Sequence, residues 1–393
     1  MDPQLATLFA VVVLSALVPI ISGLTRGFVP DPVLLLIGGV VIGPSVLNIA
    51  RTSDISLLYE LGLGFLFLLA GYEIEVDLLR STAGRLGLIS WVISAAMGAM
   101  LVTALWAFGV LPLHYAVALG LTTTALGVLM PIMKDAGILS TPLGNMVLGA
   151  GALGELLPII GIAILIGVHS SVLSLLAIGG VGLAAALVML FHRLTAGSKF
   201  GEQVYDKRDT SAQAAVRWAL VLLVGLLVVT QRFGLDAVLG AFLAGLVMRR
   251  MDPPEKKSGL QDKMFAVGYG FLIPLFFVCS GMNLAVSTLL AQPLALPLVA
   301  LLLLLVRGGP ALLVYAKVLG MRQRIQLALL SATALPVLVA LAQAAVRNGA
   351  MTAEHAAVLV GGGVISVAVF PMLAELINRP EQGTAKHEAP APA

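Results

Sequence analysis

Apolar runs of lipid-crossing length alternate with short polar patches along almost the whole chain. A membrane-spanning helix needs about 20 predominantly apolar residues. Thirteen segments meet or approach that length: 4–24, 31–49, 55–73, 86–110, 114–133, 142–168, 170–191, 213–231, 234–250, 265–284, 291–316, 325–346 and 353–377. The pattern predicts an all-α, polytopic membrane protein of about 13 transmembrane helices. The first run lacks the basic flank of a secretory leader and is long enough to cross, so it is taken as the first helix. The membrane domain is expected over residues 1–378, with a short disordered cytoplasmic tail over 379–393.

Charge tests this count. Lys and Arg collect in cytoplasmic loops. With the N-terminus outside and the C-terminus inside, 19 of the 23 Lys and Arg residues fall on the cytoplasmic side. Arg51, Arg232 and Arg347 are left outside, and Arg307 lies within a span. The net charge of +3 thus reflects topology and contact with anionic lipid, not nucleic-acid binding. At 59% hydrophobic and 11% charged residues, the composition excludes a water-soluble globule.

The chain resembles itself. FLLAGYEI (67–74) aligns with FVCSGMNL (277–284) at a shift of 210, and TTTALG (122–127) with SATALP (331–336) at a shift of 209. The glycine-rich starts near Gly149 and Gly361 follow at about 212. Seven helices separate the copies. An odd number inserts the two halves in opposite senses, giving inverted-topology repeats over about 31–168 and 234–377, as in secondary transporters. A helix over 170–191 and a cytoplasmic loop over 192–212 join them.

In such repeats the site lies at the midplane, where matched helices are interrupted. The segment 114–133 carries Thr122, Thr123 and Thr124 followed by Gly127 and Pro131. Its partner carries Ser331, Thr333 and Pro336. These positions predict two discontinuous, crossed helices. Their free carbonyls, with the three threonine hydroxyls, offer oxygen ligands for a desolvated cation.

Between Pro142 and Val168 the sole ionisable side chain is Glu155. A charge at the bilayer centre costs about 2.5–3.5 kcal/mol on the lenient insertion scale, so it needs a partner or a task. The opposite charge at similar depth is Arg307, which is taken as its charge partner. Glu60, Glu73, Glu75 and Asp77 read as orientation or capping charges, with Glu73 to Asp77 at the cytoplasmic interface. Glu375 closes the last span in the same way.

Other chemistry is not supported. One cysteine, Cys279, permits no internal disulfide, and the five histidines show no metal-ligand spacing. No HExxH motif or nucleophile–histidine arrangement occurs, so neither an enzyme nor a bound cofactor is expected.

The stretches FLFLLAGYEIEVDLLR (65–80), ALGLTTTALGVLMPIMKDAGILSTPLGNMVLGAGALGELLPI (118–159), LGAFLAGLVM (239–248) and FLIPLFFVCSGMNL (271–284), with Arg307, together resemble the monovalent cation:proton antiporter families. The likeness is to the branch that includes bacterial potassium-efflux and sodium/proton exchangers. It implies a sodium/proton antiporter fold, a homodimer, and a core that slides against a dimerisation domain in an elevator-type cycle. In that family the second of two adjacent polar residues binds cation or proton, and Glu155 matches it; Gly154 occupies the first position. The second interrupted helix reads SATALPVLV, without the Gly-Arg-Gly-Glu pattern of potassium-efflux relatives, and their nucleotide-sensing C-terminal domain is not expected here.

The expected activity is exchange of Na⁺ or K⁺ for H⁺ across a bacterial inner membrane. Arginine keeps its proton in proteins, which leaves Glu155 as the deep group able to alternate between proton and cation. One carboxylate exchanging one proton for one cation moves no net charge, so the exchange is expected to be electroneutral. Two other readings fit the same residues: a sodium-coupled symporter whose Arg307 binds an organic anion, and a non-transporting or channel-like protein with a structural Glu155–Arg307 pair.

Overall fold

The computed structural model describes residues 2–24, 29–74, 76–109, 115–165, 213–232, 237–251 and 259–378, together with Gly179 and Gly182. Throughout these residues the regular structure is helical. The helices are α1 (Pro3–Leu24), α2 (Asp31–Ile42), α3 (Ser56–Glu73), α4 (Val76–Arg80), α5 (Thr82–Ala107), α6 (Tyr115–Gly120), α7 (Leu126–Asp135) and α8 (Pro142–Leu165). After the segment 166–212 come α9 (Ala214–Arg232), α10 (Ala237–Met251), α11 (Leu260–Met282), α12 (Val286–Ala291) and α13 (Ala295–Val314). The last three are α14 (Met321–Ser331), α15 (Pro336–Arg347) and α16 (Ala353–Asn378).

Eight of the thirteen predicted spans correspond to helical segments long and apolar enough to cross a membrane. The segment 31–49 forms the shorter α2, 213–231 and 234–250 form α9 and α10, and 114–133 is split into α6 and α7. The predicted helix over 170–191, the loop 192–212 and the tail 379–393 lie outside the described residues.

The surface is apolar where water would demand polarity. Phe9, Met100, Leu294 and Leu313 are each more than 60% exposed, and α5 has a mean hydropathy of 2.0 with little of its length buried. Such a surface is stable against lipid tails, where leucine gains nothing by hiding. The protein is an integral, multi-pass membrane protein.

Among the described residues the helices form two bundles. Helices α1, α2, α3, α9, α10 and α11 pack mainly on one another, as do α5, α8, α13, α14 and α16 with the short α6, α7 and α15. Small residues let backbones touch inside the first bundle: a Cβ at Gly71 of α3 would strike the carbonyl of Phe242 on α10, and one at Gly245 the carbonyl of Leu68. This close packing fixes α3, and with it Glu73 at its end. The bundles meet along a seam where α3 approaches α7, α10 approaches α8 and α2 approaches α16.

Candidate functional site

Two interrupted helices meet in the second bundle. α6 stops at Gly120 and α7 starts at Leu126; α14 stops at Ser331 and α15 starts at Pro336. The ends of broken helices leave carbonyls and amides that must be paired in an apolar interior. Hydroxyls supply much of that pairing. Thr122 donates to the carbonyl of Leu119 (2.7 Å) and Thr123 to that of Gly120 (2.8 Å). Ser331 and Thr333 donate to Leu327 (2.7 Å) and Leu329 (3.1 Å).

The breaks are also tied to each other. The Ala125 amide donates to the Thr333 carbonyl (2.8 Å), and the Thr124 hydroxyl donates to the Ser331 carbonyl (2.6 Å). The Thr124 amide reaches the carbonyl of Gly154 on α8 (2.9 Å). A third helix joins through Ser366 of α16, which accepts from the Ala334 amide (3.0 Å) and donates to Gly363 (2.7 Å). The predicted pair of discontinuous helices is therefore present, but the breaks sit at 121–125 and 332–335. Gly127 and Pro131 lie inside α7, beyond the first break, whereas Pro336 opens α15 and Thr333 lies within the second break. Proline is tolerated in a first helical turn, where the missing amide has no partner to lose.

Arg307 fixes the crossing from α13. It lies in a π-helical turn, Leu304–Gly308, and is fully buried. Such wide turns redirect a side chain out of the regular helical spacing and recur at functional sites. Its Nε donates to the Thr124 hydroxyl (2.9 Å) and its Nη2 to the Ala150 carbonyl of α8 (2.6 Å), while Nη1 has no partner. The guanidinium fills the space beside Gly154: a Cβ there would stand 2.6 Å from Nη2 and against the Thr124 hydroxyl.

Glu155 follows on α8, 2% exposed, and its Oε2 has no hydrogen-bond partner. The expected Glu155–Arg307 charge pair does not form. Arg307 is drawn to Thr124 and Ala150, two oxygens that the crossing places nearer its fork, so each charged group keeps an unpartnered atom. Glu155 instead faces a cavity of about 1100 Å³ that runs along the seam between the bundles. Gly127 and Pro336, from the first turns of α7 and α15, also line it. Neither turn has a side-chain cap, so two uncapped helix starts, each the positive end of a helix, border the cavity that Glu155 lines.

Thr122, Thr123 and Thr124, expected as cation ligands, are fully buried and do not line this cavity. Their hydroxyls bind backbone and Arg307 at the crossing. Ser331 and Thr333 are likewise buried away from it.

One cavity residue was misplaced by the sequence. Glu73 was assigned to the interface, yet its Oε2 is buried without a partner and it lines the same cavity as Glu155. The exposed acids Asp31 and Glu375 stand on the same lining. Four acids, Asp31, Glu73, Glu155 and Glu375, therefore share the cavity lining.

Thr124 is the joint through which Arg307 and α14 are held. Replacing it with valine removes one bond to Ser331 and one from a charged donor, together worth about 2–4 kcal/mol. Thr124→Val is expected to lower the thermal stability of the protein in detergent, with Thr124→Ser close to the parent.

Comparison with known proteins places this arrangement. The family described as "Sodium/hydrogen exchanger, transmembrane" matches residues 12–376. This chain belongs to the sodium/hydrogen exchanger family. YjbQ of Bacillus subtilis, described as a "Putative Na(+)/H(+) antiporter", is 28% identical over 77% of this chain and 51% of its own length. The high-affinity Na⁺/H⁺ antiporter NhaS3 of a Synechocystis strain is 26% identical over 61% of this chain and 52% of its own. A chloroplastic K⁺ efflux antiporter of Arabidopsis thaliana is 29% identical over 88% of this chain but only 30% of its own length. The match thus spans about half, or less, of these relatives. The solved structure of the sodium proton antiporter MjNhaP1 from Methanocaldococcus jannaschii covers 95% of this chain and 97% of its own, with a TM-score of 0.66 and 18% identity. The two share a fold.

Proposed function

We propose that this member of the sodium/hydrogen exchanger family exchanges a monovalent cation, Na⁺ or K⁺, for H⁺ across the membrane, with Glu155 holding proton and cation in turn. The observation that carries the proposal is the placement of Glu155. It is a buried carboxylate with an unpartnered oxygen, next to the Gly154 that packs on the helix crossing, and it lines a cavity together with three other acids. An intramembrane carboxylate that pairs with nothing in the protein is paired by what it carries. Relatives described as Na⁺/H⁺ and K⁺ antiporters support both cations as substrates.

The crossed helices belong to inverted repeats in this reading, and transport proceeds by movement of the crossed-helix bundle against the other in a homodimer. The seam location of the cavity supports that division. The threonines and Arg307 hold the crossing rigid, and Arg307 carries no substrate anion. Its guanidinium is absent from the cavity lining, which favours the antiporter over a symporter of organic anions. The distribution of basic residues supports an outside N-terminus and a cytoplasmic C-terminus in a bacterial plasma membrane.

Exchange of one proton for one cation at one carboxylate transfers no net charge. Proteoliposomes held at a fixed pH gradient are therefore expected to exchange at the same rate whatever membrane potential is imposed. A rate that follows the potential would contradict one-for-one exchange.

A further inference from the structure

Each of the two helices on which the breaks dock contains a proline: Pro158 in α8 and Pro371 in α16. Proline has no amide hydrogen, so the carbonyl four residues before it loses its helical partner. Pro158 frees the carbonyl of Gly154, and Pro371 frees that of Val367. The first is put to use in the crossing, where the Thr124 amide of the first break donates to Gly154 (2.9 Å). Proline in α8 thus creates the acceptor that holds the first break.

The second break docks differently. Its Ala334 amide donates to the Ser366 hydroxyl (3.0 Å), and no amide of that break takes the Val367 carbonyl. The two helices then share one order of parts. A docking residue, Gly154 or Ser366, is followed by a buried residue, Glu155 or Val367, that lines the cavity. Glu155 and Val367 lie 212 residues apart, the shift that relates the glycine-rich starts of these helices, and the two prolines lie 213 apart. Pro371 lines the cavity as well. Where α8 offers a carboxylate, α16 offers a backbone oxygen released from its helix.

We infer that the Val367 carbonyl is a ligand for the transported monovalent cation, a neutral oxygen from α16 that complements the carboxylate of α8. Carbonyl oxygens replace the hydration shell of monovalent cations in selective pores. The threonine hydroxyls are committed to the crossing and do not serve. The cavity lining carries no Lys, Arg or His to repel an ion. A proton on Glu155 needs no such oxygen, so the carbonyl raises affinity for the cation without being required for protonation. This inference rests on the exchange reading and adds to it a ligand that exchange at Glu155 alone does not require.

Pro371→Ala tests this by returning an amide hydrogen to position 371, where it draws the Val367 carbonyl back into the helix. Alanine is a strong helix former, so α16 stays folded. In proteoliposomes the half-saturating Na⁺ or K⁺ concentration for proton exchange is expected to rise about fivefold, the scale of one neutral polar contact. The maximal rate is expected to stay within about twofold of the parent. A second variant separates the carbonyl from the proline kink: lactic acid in place of Pro371 forms an ester, with neither the ring nor an amide hydrogen. It is expected to keep the parental half-saturating concentration. Unchanged affinity in Pro371→Ala, or an equal rise in both variants, overturns Val367 as a ligand while leaving exchange at Glu155 intact. A parent protein with no cation-dependent proton movement overturns the exchange reading itself.

Discussion

Glu155→Gln is expected to abolish cation-dependent proton movement, by at least about a hundredfold as for loss of an essential proton-transfer group, while leaving the protein folded. The substitution keeps the shape of the side chain and breaks no protein bond to Oε2, because Oε2 makes none. It removes the proton that exchange requires and the negative charge that draws in a cation. Two measurements are needed together: exchange in proteoliposomes and thermal unfolding in detergent. A silent but equally stable variant fits the account. A variant that exchanges normally and unfolds early would make Glu155 a structural residue instead.

Gly154→Ala is the second large effect. A methyl group at this position meets Arg307 Nη2 at 2.6 Å and the Thr124 Cβ at 2.8 Å, besides the Thr124 hydroxyl. The guanidinium tip can bend away, but only by giving up its bond to Thr124 or to Ala150. The backbone at Thr124 cannot retreat, since its amide binds the Gly154 carbonyl. Overpacking of this kind costs about 1–3 kcal/mol, and here it also displaces the residue next to Glu155. Gly154→Ala is expected to unfold earlier in detergent and to lose most of its exchange. Pairing it with Arg307→Lys, whose thinner tip leaves room for the methyl group, is expected to recover part of the lost stability. Parental behaviour of Gly154→Ala would show that Arg307 is not held against α8.

These expectations mark where the sequence sufficed. A lone carboxylate in an apolar run of 27 residues announces itself, because burying it has a known cost. The interrupted helices were legible to within a few residues from hydroxyls followed by breakers. Their breaks fell earlier than Gly127 and Pro131 because the chain stops a helix where carbonyls find other donors, and Thr122 and Thr123 provide these. Depth along a helix can be read from sequence, whereas direction around it cannot. Arg307 and Glu155 share a depth, yet a π-helical turn aims the guanidinium at Thr124 and Ala150. Glu73 was hidden for a related reason. At a span end, an acid that snorkels outward and one that turns into a seam have the same local sequence, and only the approach of α3 to α7 separates them.

The most direct measurement counts protons. Purified protein in weakly buffered detergent is titrated with Na⁺ or K⁺ at a pH where Glu155 carries its proton, and the release of H⁺ is recorded beside the cation bound. The account predicts close to one proton released for each cation bound, and no release from Glu155→Gln. Cation binding without proton release, or equal release from Glu155→Gln, would contradict it.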